Sequence, residues 1–281
     1  MNTIAIIQAR MSSSRLPGKV LQPIAGKSML ELVIERSARA RLINGVIVAT
    51  SANASDDPIE ALCKRQGIAC YRGSMHDVLD RFYLAAQSAQ AEEIVRITAD
   101  CPLIDPGLID TTLLAFREGA DFAANRLPPP WRRSFPIGLD VEVCIMAALR
   151  RAWKEAGQKY QREHVMPYLY EGVVFEDETH LLPFGEQQAT GTIYISRGLS
   201  AHGFRATQLH HSPDYGSMRW TVDTPADLEL VRQIYARFPG RSDFTWQEVL
   251  AVFEREPELA MINADTQHKT AFDVDERAKF D

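Results

Sequence analysis

The chain has 281 residues, 46% of them hydrophobic and 24% charged, which is the composition of a soluble globular protein with room for one large domain or two modest ones. The formal net charge of −6 argues against nonspecific nucleic-acid binding, which depends on neutralising phosphates. We expect no signal peptide and no membrane span, because the chain starts with a strand-like segment and its apolar runs stay below the ~20 residues that a span needs. Four scattered cysteines predict buried, reduced thiols and a cytoplasmic protein.

Strand and helix patterns alternate through the first half of the chain. Short β-branched segments are separated by segments whose apolar residues recur with helical spacing. The predicted strands are 3–8, 45–50, 68–72, 93–98 and 120–125, and the predicted helices are 27–41, 57–67, 76–90 and 106–119. This alternation predicts right-handed βαβ units and a parallel, doubly wound sheet. Ligands bind such sheets at the carboxyl ends of strands, so the loops after the first and fourth strands are expected to be neighbours.

The pattern changes in the second half of the chain. A Pro-rich connection, 127–138, leads into an alternating strand at 139–146. The further predicted elements are helices at 148–156, 161–172 and 245–259 and a strand at 218–223. Thr224 is expected to cap the helix that follows this strand, with Pro225 at its first position. The stretch 174–217 has strand-like pieces with scattered glycines and histidines, and it receives no assignment.

The first loop, 8–19 (QARMSSSRLPGK), is rich in groups that bind anions. It holds Arg10, Arg15 and Lys19 around three consecutive serines. It has neither the spacing of a P-loop nor that of a dinucleotide-binding glycine motif. Guanidinium groups and an ammonium group around serine hydroxyls and loop amides suit a triphosphate. The alternative is a solvated basic loop without a ligand.

Two aspartates come at the ends of predicted strands. Asp100 ends the segment RITAD, and Asp223 ends the segment RWTVD. Mg²⁺ is commonly held by one or two carboxylates together with substrate phosphates, so this pair predicts a shared magnesium site at the carboxyl edge of the sheet. The alternative for Asp100 is a turn cap, whereas Thr224 already provides the expected cap beside Asp223.

Other polar positions have simpler explanations. Asp105 precedes Pro106 and is expected to be an ordinary helix N-cap. His164 is either a catalytic base or orienting donor, or a structural histidine whose hydrogen bonds are satisfied. His210 and His211 have no companion ligands at metal-binding spacing, so no metal site is predicted there.

Several segments, in one order along almost the whole chain, resemble a known family. They are IIQARMSSSRLPGKVL (6–21), YRGSMHDVLDRFY (71–83), VRITADCPLIDP (95–106), GLDVEV (138–143), REHVMPYLYE (162–171) and RWTVDTPADLELV (219–231). The chain resembles the spore coat polysaccharide biosynthesis protein SpsF family. That family is similar to the cytidylyltransferases that make CMP-activated sugar acids of the 3-deoxy-manno-octulosonate and acylneuraminate types.

The resemblance implies an α/β fold of the GT-A-like nucleotidyltransferase type, a three-layer α/β/α sandwich with a mostly parallel central sheet. It implies one nucleotidyltransferase domain over 1–281. Within it we expect a nucleotide-binding half at 1–126, a smaller inserted acceptor and dimerisation subregion at 127–217, and a returning strand with a metal aspartate and C-terminal helices at 218–281. It also implies a homodimer and a Mg²⁺-dependent reaction in which CTP and a sugar acid give a CMP-sugar and pyrophosphate.

The resemblance also implies roles for matching positions. The expected nucleotide-binding residues are Ala9, Arg10, Ser12, Ser13, Arg15, Lys19, Arg72, Ser74, Asp77 and Ala99. The expected acceptor-binding residues are Asp140, Glu142, Arg162, Glu163 and His164. The expected catalytic residues are Arg15, Lys19, Asp100 and Asp223, with the two aspartates as the Mg²⁺ ligands. Ile137 departs from the family pattern, which usually has an acidic residue there, so the identity of the acceptor stays open.

The expected chemistry is attack of an acceptor hydroxyl or carboxylate on the α-phosphorus of CTP, with Arg15 and Lys19 stabilising the leaving pyrophosphate. One alternative is a glycosyltransferase with a nucleotide-sugar donor, although Cys101 and Pro102 after Asp100 break the Asp-x-Asp motif typical of that class. The other alternative is a nucleotide-binding subunit whose acceptor site has decayed. No nucleic acid and no membrane is expected as a partner.

Overall fold

The computed structural model describes residues 1–182 and 191–266, apart from the side chains of 177 and 178. The strands in this part of the chain are β1 (Thr3–Gln8), β2 (Pro23–Ile24), β3 (Lys27–Ser28), β4 (Gly45–Ser51), β5 (Ala69–Gly73), β6 (Glu93–Thr98), β7 (Phe122–Ala124), β8 (Glu142–Ile145), β9 (Val174–Leu181), β10 (Thr192–Leu199) and β11 (Arg205–Ser212). The α-helices are α1 (Met29–Ala38), α2 (Asp57–Gln66), α3 (Val78–Ser88), α4 (Pro106–Arg117), α5 (Met146–Glu155), α6 (Lys159–His164), α7 (Pro167–Tyr170), α8 (Pro225–Ala236) and α9 (Trp246–Arg255). Short 3₁₀ turns occur at Lys19–Leu21, Ala54–Asp56 and Pro257–Met261.

Nine strands form one sheet in the order β5-β4-β1-β6-β8-β7-β11-β10-β9. Seven of them run in one direction, and only β8 and β10 are reversed, as the pairings along the sheet require. The mostly parallel central sheet that the family resemblance implies is therefore confirmed. Strands from both 1–126 and 127–217 belong to this one sheet.

Helices cover both faces of the sheet, so the three-layer sandwich is confirmed. One face packs against α1, α2, α4, α8 and α9, and the other packs against α3, α5, α6 and α7. Side chains alternate between the two faces along β1, so both faces carry apolar residues that helices must cover. Ala5 and Ile7 belong to the hydrophobic core on the first face, and Ile4 and Ile6 belong to the core on the second. Within the described residues, no helix is long and apolar enough to cross a membrane.

The predicted helix caps are present. Asp105 accepts a hydrogen bond from the backbone N–H of Leu108 at 3.0 Å and starts α4. Thr224 caps α8 and forms a capping box with Asp227, with Pro225 in the first turn. These caps fix where the two helices leave the edge of the sheet that carries the candidate site.

Two predicted elements are wrong. The helix predicted at 161–172 is two short helices, α6 and α7, separated at Val165, whose φ is +73°. Pro167 contributes to the break, because it lacks the N–H that would donate to the carbonyl oxygen of residue 163 in a continuous helix. The strand predicted at 218–223 is only a single bridge between Arg219 and Ile137, so Asp223 does not end a strand.

The stretch 174–217 contains the three strands β9, β10 and β11, which lie at one end of the sheet. Their polar residues and histidines interrupt the apolar pattern from which strands are predicted. Residues 183–190 of this stretch and residues 267–281 of the predicted C-terminal region lie outside the described residues.

Candidate active site

The carboxyl ends of β5, β4, β1, β6 and β7 meet at one edge of the sheet, and the reversed strand β8 starts there. The first loop leaves β1 at this edge. Asp100 follows β6 at the same edge, and Asp140 precedes β8 there. The expectation that the loops after the first and fourth α/β strands are neighbours is confirmed, because these strands, β1 and β6, pair directly.

A buried aspartate, Asp56, anchors the first loop. Its carboxylate accepts a hydrogen bond from the backbone N–H of Met11 at 2.8 Å. It also accepts from the hydroxyl of Thr50 at 3.1 Å and from the backbone N–H of Ser51 at 3.1 Å. The loop then folds back, since the N–H of Gly18 donates to the carbonyl oxygen of Met11 at 2.9 Å. The start of the loop is thereby fixed to the neighbouring strand β4.

Lys19 lies between the two predicted metal aspartates. The residue is 8% exposed. The ammonium Nζ donates to Oδ2 of Asp100 at 2.9 Å, to Oδ1 of Asp223 at 2.8 Å and to the carbonyl oxygen of Val222 at 2.8 Å. An ammonium has three donors, so these three acceptors satisfy it completely. The structure thus brings Lys19, Asp100 and Asp223 into one cluster.

Backbone hydrogen bonds hold the two aspartates side by side. The N–H of Val222 donates to the carbonyl oxygen of Asp100 at 2.8 Å, and the hydroxyl of Thr221 donates to the same oxygen at 3.1 Å. The segment 219–223 therefore lies alongside the end of β6 without forming a strand. This contact, rather than a strand end, places Asp223 opposite Asp100.

Asp223 is held from its other side by two arginines. Arg15 lies 2.9 Å and Arg219 lies 2.8 Å from Oδ2 of Asp223. Arg219 is oriented in turn by the fully buried Asp227, with Nε donating to its Oδ1 at 2.9 Å. Three cationic groups therefore surround a single carboxylate.

The charges of this cluster stabilise each other. Burial alone would raise the pKa of Asp223, but Lys19, Arg15 and Arg219 outweigh it and hold that pKa well below 3.8. Burial alone would lower the pKa of Lys19, but Asp100 and Asp223 outweigh it and raise that pKa above 10.5. Asp223 and Lys19 are therefore both charged at neutral pH.

The aspartate pair suits a divalent cation. Both carboxylates contact one cationic atom, Nζ of Lys19. One oxygen of each can therefore contact the same positive charge. Within residues 1–182 and 191–266, no group of three or more side chains has the arrangement of a protein-only metal site. Mg²⁺ typically takes one or two carboxylates and completes its shell with water and phosphate oxygens, so Asp100 and Asp223 fit a cation that is bound together with a phosphate.

The serines of the first loop line the same region. The hydroxyl oxygen of Ser12 is buried and has no hydrogen-bond partner among the described residues. Such orphaned groups are uncommon, so a ligand oxygen is a natural partner for it. Ser13 Oγ accepts from the backbone N–H of Leu16 at 3.4 Å, so this serine shapes the loop. Ala9 is buried and donates its N–H to the carbonyl oxygen of Ala49 at 3.2 Å.

Arg10 lies near a second arginine, Arg81 of α3. Burial and the charge of Arg10 lower the pKa of Arg81 to about 10. Arg81 donates to the carbonyl oxygen of Ser74 at 2.7 Å, while its Nε and one terminal nitrogen have no partner among the described residues. Two guanidinium groups in one region favour an anionic ligand.

The predicted nucleotide-binding residues Arg72, Ser74, Asp77 and Ala99 are held by protein groups. Arg72 contacts Asp57 at 2.7 Å and Glu60 at 2.6 Å, so its guanidinium is bound to α2. Ser74 Oγ accepts from the N–H of Asp77 at 3.0 Å, and Asp77 caps α3. Ala99 donates its N–H to the carbonyl oxygen of Gln8 at 3.0 Å. The roles of these four positions in nucleotide binding stay predictions.

The predicted acceptor residues fall into two groups. Asp140 and Glu142 lie at the start of β8, whereas Arg162, Glu163 and His164 lie on α6. Arg162 pairs with the carboxylate of Asp77, so it joins α6 to the start of α3. The structure therefore places Arg162 of α6 next to the loop after β5.

An arginine-rich patch surrounds the β8 pair. Arg133 binds both oxygens of Asp140 at 2.5 and 3.1 Å, and Arg126 lies 3.8 Å from Asp140. Arg96 binds the buried Glu142 and donates to the side-chain oxygen of Gln8 at 3.1 Å. Burial raises the pKa of Cys101, and the charges of Asp100 and Asp140 raise it further.

Four residues that position the site were not predicted from the sequence, namely Asp56, Arg126, Arg219 and Asp227. For Asp227 a signal was present, because Thr224 and Asp227 have capping-box spacing. The other three act through contacts between segments far apart in the chain. His210 and His211 find protein partners, with Ser196 Oγ at 3.1 Å from the first and the Pro213 carbonyl oxygen at 2.7 Å from the second.

Comparison with known proteins gives one consistent result. Residues 4–251 match a family model described as Cytidylyltransferase. The chain is 29% identical over 275 residues to the spore coat polysaccharide biosynthesis protein SpsF of Bacillus subtilis, covering 92% of this chain and 98% of that one. It is 42% identical over 120 residues to a 3-deoxy-manno-octulosonate cytidylyltransferase of Geobacter sulfurreducens, covering 42% of this chain and 46% of that one. A solved cytidylyltransferase structure from Leptospira borgpetersenii superposes with a TM-score of 0.77 at 26% identity, covering 96% of this chain and 100% of that one.

Proposed function

The chain belongs to the cytidylyltransferase family and is a nucleotidyltransferase, and from this premise we propose that it transfers CMP from CTP to a sugar acid and releases pyrophosphate. The observation that supports this proposal most is the cluster of Lys19, Asp100 and Asp223 beside the serine-rich first loop. The cluster holds one ammonium group suited to a triphosphate and two carboxylates suited to a divalent cation. The likeness to a 3-deoxy-manno-octulosonate cytidylyltransferase supports a sugar acid as the acceptor.

In the proposed reaction the protein positions the substrates and stabilises charge on the phosphates, and it forms no covalent bond to them. An acceptor oxygen attacks the α-phosphorus of CTP, the bond to the β-phosphate oxygen breaks, and pyrophosphate leaves. Arg15 and Lys19 bind the phosphates and stabilise the charge that develops on the leaving group. Asp100 and Asp223 would hold Mg²⁺, which when bound supplies positive charge to the phosphate oxygens.

The patch around β8 supports an acidic acceptor. Three arginines, Arg96, Arg126 and Arg133, surround only two carboxylates, Asp140 and Glu142. The surplus positive charge suits a carboxylate on the acceptor, and the arginine fork matches its geometry. The charges of Asp100 and Asp140 both raise the pKa of Cys101, which supports an acceptor position close to Asp100.

Ile137, where the family usually has an acidic residue, lies beside this region. Its N–H donates to the carbonyl oxygen of Met218 at 2.8 Å, and its own carbonyl oxygen accepts from Trp220 at 2.7 Å. These are backbone hydrogen bonds, so residue 137 supports the segment that carries Asp223 with any side chain at that position. The change at residue 137 therefore leaves this backbone support of the fold intact.

The test is a pyrophosphate-release assay with Mg²⁺, in which each of the four nucleoside triphosphates is combined with a panel of sugar acids. We expect CTP to be selected and one sugar acid to be consumed. The variant Asp100→Asn should lose turnover and keep its fold, while Asp121→Asn, which removes a carboxylate paired with the exposed Arg205, should retain activity. Release of a nucleoside diphosphate from a nucleotide-sugar, or calorimetric CTP binding without product from any acid, would contradict the proposal.

The homodimer stays part of the proposal. Val174, Leu181 and Leu199 are exposed apolar side chains on β9 and β10, which form the end of the sheet away from the nucleotide half. Light scattering of the purified chain measures the oligomeric state, and a monomer at all concentrations would contradict this part alone.

A further inference from the structure

Arg126 differs from the other arginines of the patch around β8, because its guanidinium forms no hydrogen bond within residues 1–182 and 191–266. It follows β7 at the carboxyl edge of the sheet. The register of β7 and β8 sets Ala124 opposite Glu142, and two residues further on it leads to Arg126 opposite Asp140. The contact between these two side chains is long, with 3.8 Å between Nε of Arg126 and Oδ2 of Asp140. The donors of Arg126 are therefore available to a ligand.

The other two arginines of the patch are already bound to carboxylates. Arg133 places both of its terminal nitrogens on Asp140, at 2.5 and 3.1 Å. Arg96 binds the buried Glu142 and also donates to the side-chain oxygen of Gln8 at 3.1 Å. A further anion in this patch can therefore take its hydrogen bonds from Arg126 without displacing an existing ion pair.

Arg126 is reachable from solvent and keeps its charge. Its side chain is 22% exposed. Burial alone would lower its pKa, but the charges of Asp140 and Glu142 outweigh burial and raise that pKa. Together with Arg96 and Arg133 it sets three cations against these two carboxylates. The patch therefore has one surplus positive charge, which a single carboxylate neutralises.

We propose that Arg126 is the residue that binds the carboxylate of the acceptor, through two parallel N–H···O hydrogen bonds, and that it makes the enzyme selective for acids. This inference rests on the proposed function, because it names a binding residue for the acceptor of that reaction. Arg126 contributes binding and selectivity, and it takes no part in bond formation.

Arg126 lies at the edge of the sheet where the reaction is proposed to occur. The register of β6 and β8 sets Glu142 opposite Arg96, so the chain just before β8 lies beside the carboxyl end of β6. Asp140 belongs to this part of the chain, and Asp100 follows β6 by two residues. Because Arg126 contacts Asp140, a carboxylate bound to Arg126 lies at the same edge as the predicted metal aspartates.

A phosphate is the other anion that a guanidinium fork binds well. A triphosphate carries several negative charges, whereas the patch has one surplus positive charge. Arg15 and Lys19 at the aspartate cluster are the cations proposed to bind the phosphates. The carboxylate of the acceptor is therefore the better match for Arg126, and the experiment separates the two anions.

Protection from chemical modification tests this site without turnover. The full chain is treated with phenylglyoxal, which reacts with guanidinium groups, and the modified arginines are identified by peptide mass spectrometry. Mg²⁺ is left out, and the protein is treated alone, with CTP, and with CTP plus 3-deoxy-manno-octulosonate, N-acetylneuraminate or the neutral sugar mannose. We expect Arg126 to react faster than Arg96 and Arg133. We expect a sugar acid to slow its modification severalfold, and neither CTP alone nor CTP with mannose to do so.

The variant Arg126→Gln tests the contribution to the reaction, after circular dichroism has shown that it is folded. It removes the guanidinium and keeps a polar side chain, so we expect the KM for the consumed acid to rise about 10–100-fold and the KM for CTP to change by less than about twofold. The preference for the acid over its neutral amide should fall by a similar factor, which a merely structural role would not produce. Arg126→Lys keeps the charge but loses the fork, so its KM for the acid should lie between those of the wild type and Arg126→Gln. The matched control is Arg132→Gln, which removes an exposed arginine paired with Asp214 and should leave both KM values unchanged.

The two measurements separate this inference from the proposed function. If an acid is consumed but Arg126→Gln leaves its KM unchanged, the role of Arg126 is wrong and the proposed function stands. If no acid is consumed but one of them still protects Arg126, the proposed function is wrong and the carboxylate site stands. Protection by CTP alone would assign Arg126 to the nucleotide phosphates. That result, failure of Arg126 to react with phenylglyoxal, or absence of protection by every acid would overturn the inference.

Discussion

The ammonium group of Lys19 lies 2.8 Å from Oδ1 of Asp223 and fills the space between that carboxylate and Asp100. Around it the charges balance, because the cations of Arg15, Lys19 and Arg219 face the carboxylates of Asp100, Asp223 and Asp227. A divalent cation therefore meets little net negative charge in the free protein. We expect it to bind weakly until the phosphates of a nucleotide draw Lys19 away from the aspartates.

Replacing Lys19 by methionine tests this relationship. Without the ammonium, the carboxylates of Asp100 and Asp223 lose their shared counter-charge, so we expect Mn²⁺ to bind the nucleotide-free variant about tenfold more tightly than the wild type. Electron paramagnetic resonance of free Mn²⁺ measures this without any turnover. Pyrophosphate release should fall by about 10²–10³, because a donor to the phosphates is lost.

The matched control is Lys27→Met, which removes an ammonium that pairs with Glu35 in a half-exposed ion pair. It should leave both Mn²⁺ binding and turnover unchanged. Equal Mn²⁺ affinity in the wild type and Lys19→Met would show that Lys19 does not compete with the metal.

A second prediction concerns Asp56, which positions the first loop without belonging to it. In Asp56→Asn one carboxylate oxygen becomes an NH₂ group, which faces the N–H of Met11 or of Ser51 and cannot accept from it. We expect the free energy of unfolding to fall by about 1–3 kcal/mol. The KM for CTP should rise more than kcat falls, because the loop that binds the phosphates loses its anchor.

The matched control is Asp110→Asn. Asp110 likewise accepts from two loop N–H groups, those of Arg41 and Leu42, each at 2.9 Å, but at the opposite edge of the sheet. It should lower stability to a similar extent and leave the KM for CTP unchanged. Equal effects of both variants on this KM would reduce the role of Asp56 to stability alone.

The alternation of strands and helices was predictable because each element of the first half carries its own periodicity and its own cap, as at Asp105 and Thr224. The proximity of Asp100 and Asp223 was also predictable, but for a reason that was partly wrong. Asp223 is placed by the hydrogen bond from Val222 to Asp100 and not by a strand end. Pairing between segments leaves no local pattern in the sequence.

The same limit explains the position of Lys19. The sequence shows a lysine in an anion-binding loop, which predicts a phosphate ligand. Only the fold shows that its nearest acceptors are Asp100, Asp223 and the Val222 carbonyl oxygen. The strands β9–β11 were not predicted because their buried histidines and polar residues find hydrogen-bond partners on neighbouring strands, as His210 does at Ser196.

Gly138 provides a third prediction. It has a φ of +107°, and a Cβ there would lie 2.5 Å from the backbone nitrogen of Thr221 and 2.7 Å from the carbonyl carbon of Trp220. Gly138→Ala must therefore push the 137–140 segment away from the segment that carries Asp223. We expect it to lower the free energy of unfolding by about 2–4 kcal/mol, from backbone strain and overpacking together, and to reduce turnover.

The control for Gly138→Ala is Gly203→Ala. Gly203 also has a positive φ, +79°, but a Cβ there would meet nothing within 4 Å. Strain alone should cost about 1 kcal/mol and leave turnover intact. Urea denaturation measures both, and similar losses in the two variants would mean that the close approach at Gly138 is unimportant.

His210 provides the last prediction, a dependence of stability on pH. Burial, assisted by the charge of Arg132, lowers the pKa of His210 from 6.5 to about 4. Between these values the unfolded chain binds a proton that the folded chain does not, so acidification stabilises the unfolded state. The free energy of unfolding should fall by up to about 3 kcal/mol from this residue as the pH drops from 6.5 to about 4. His210→Gln, which keeps a polar group for Ser196, should remove this part of the dependence, whereas replacing the exposed His76 by glutamine should not. Urea denaturation at pH 7 and near pH 4.5 measures it, and parallel losses in the wild type and His210→Gln would show that His210 is not the titrating group.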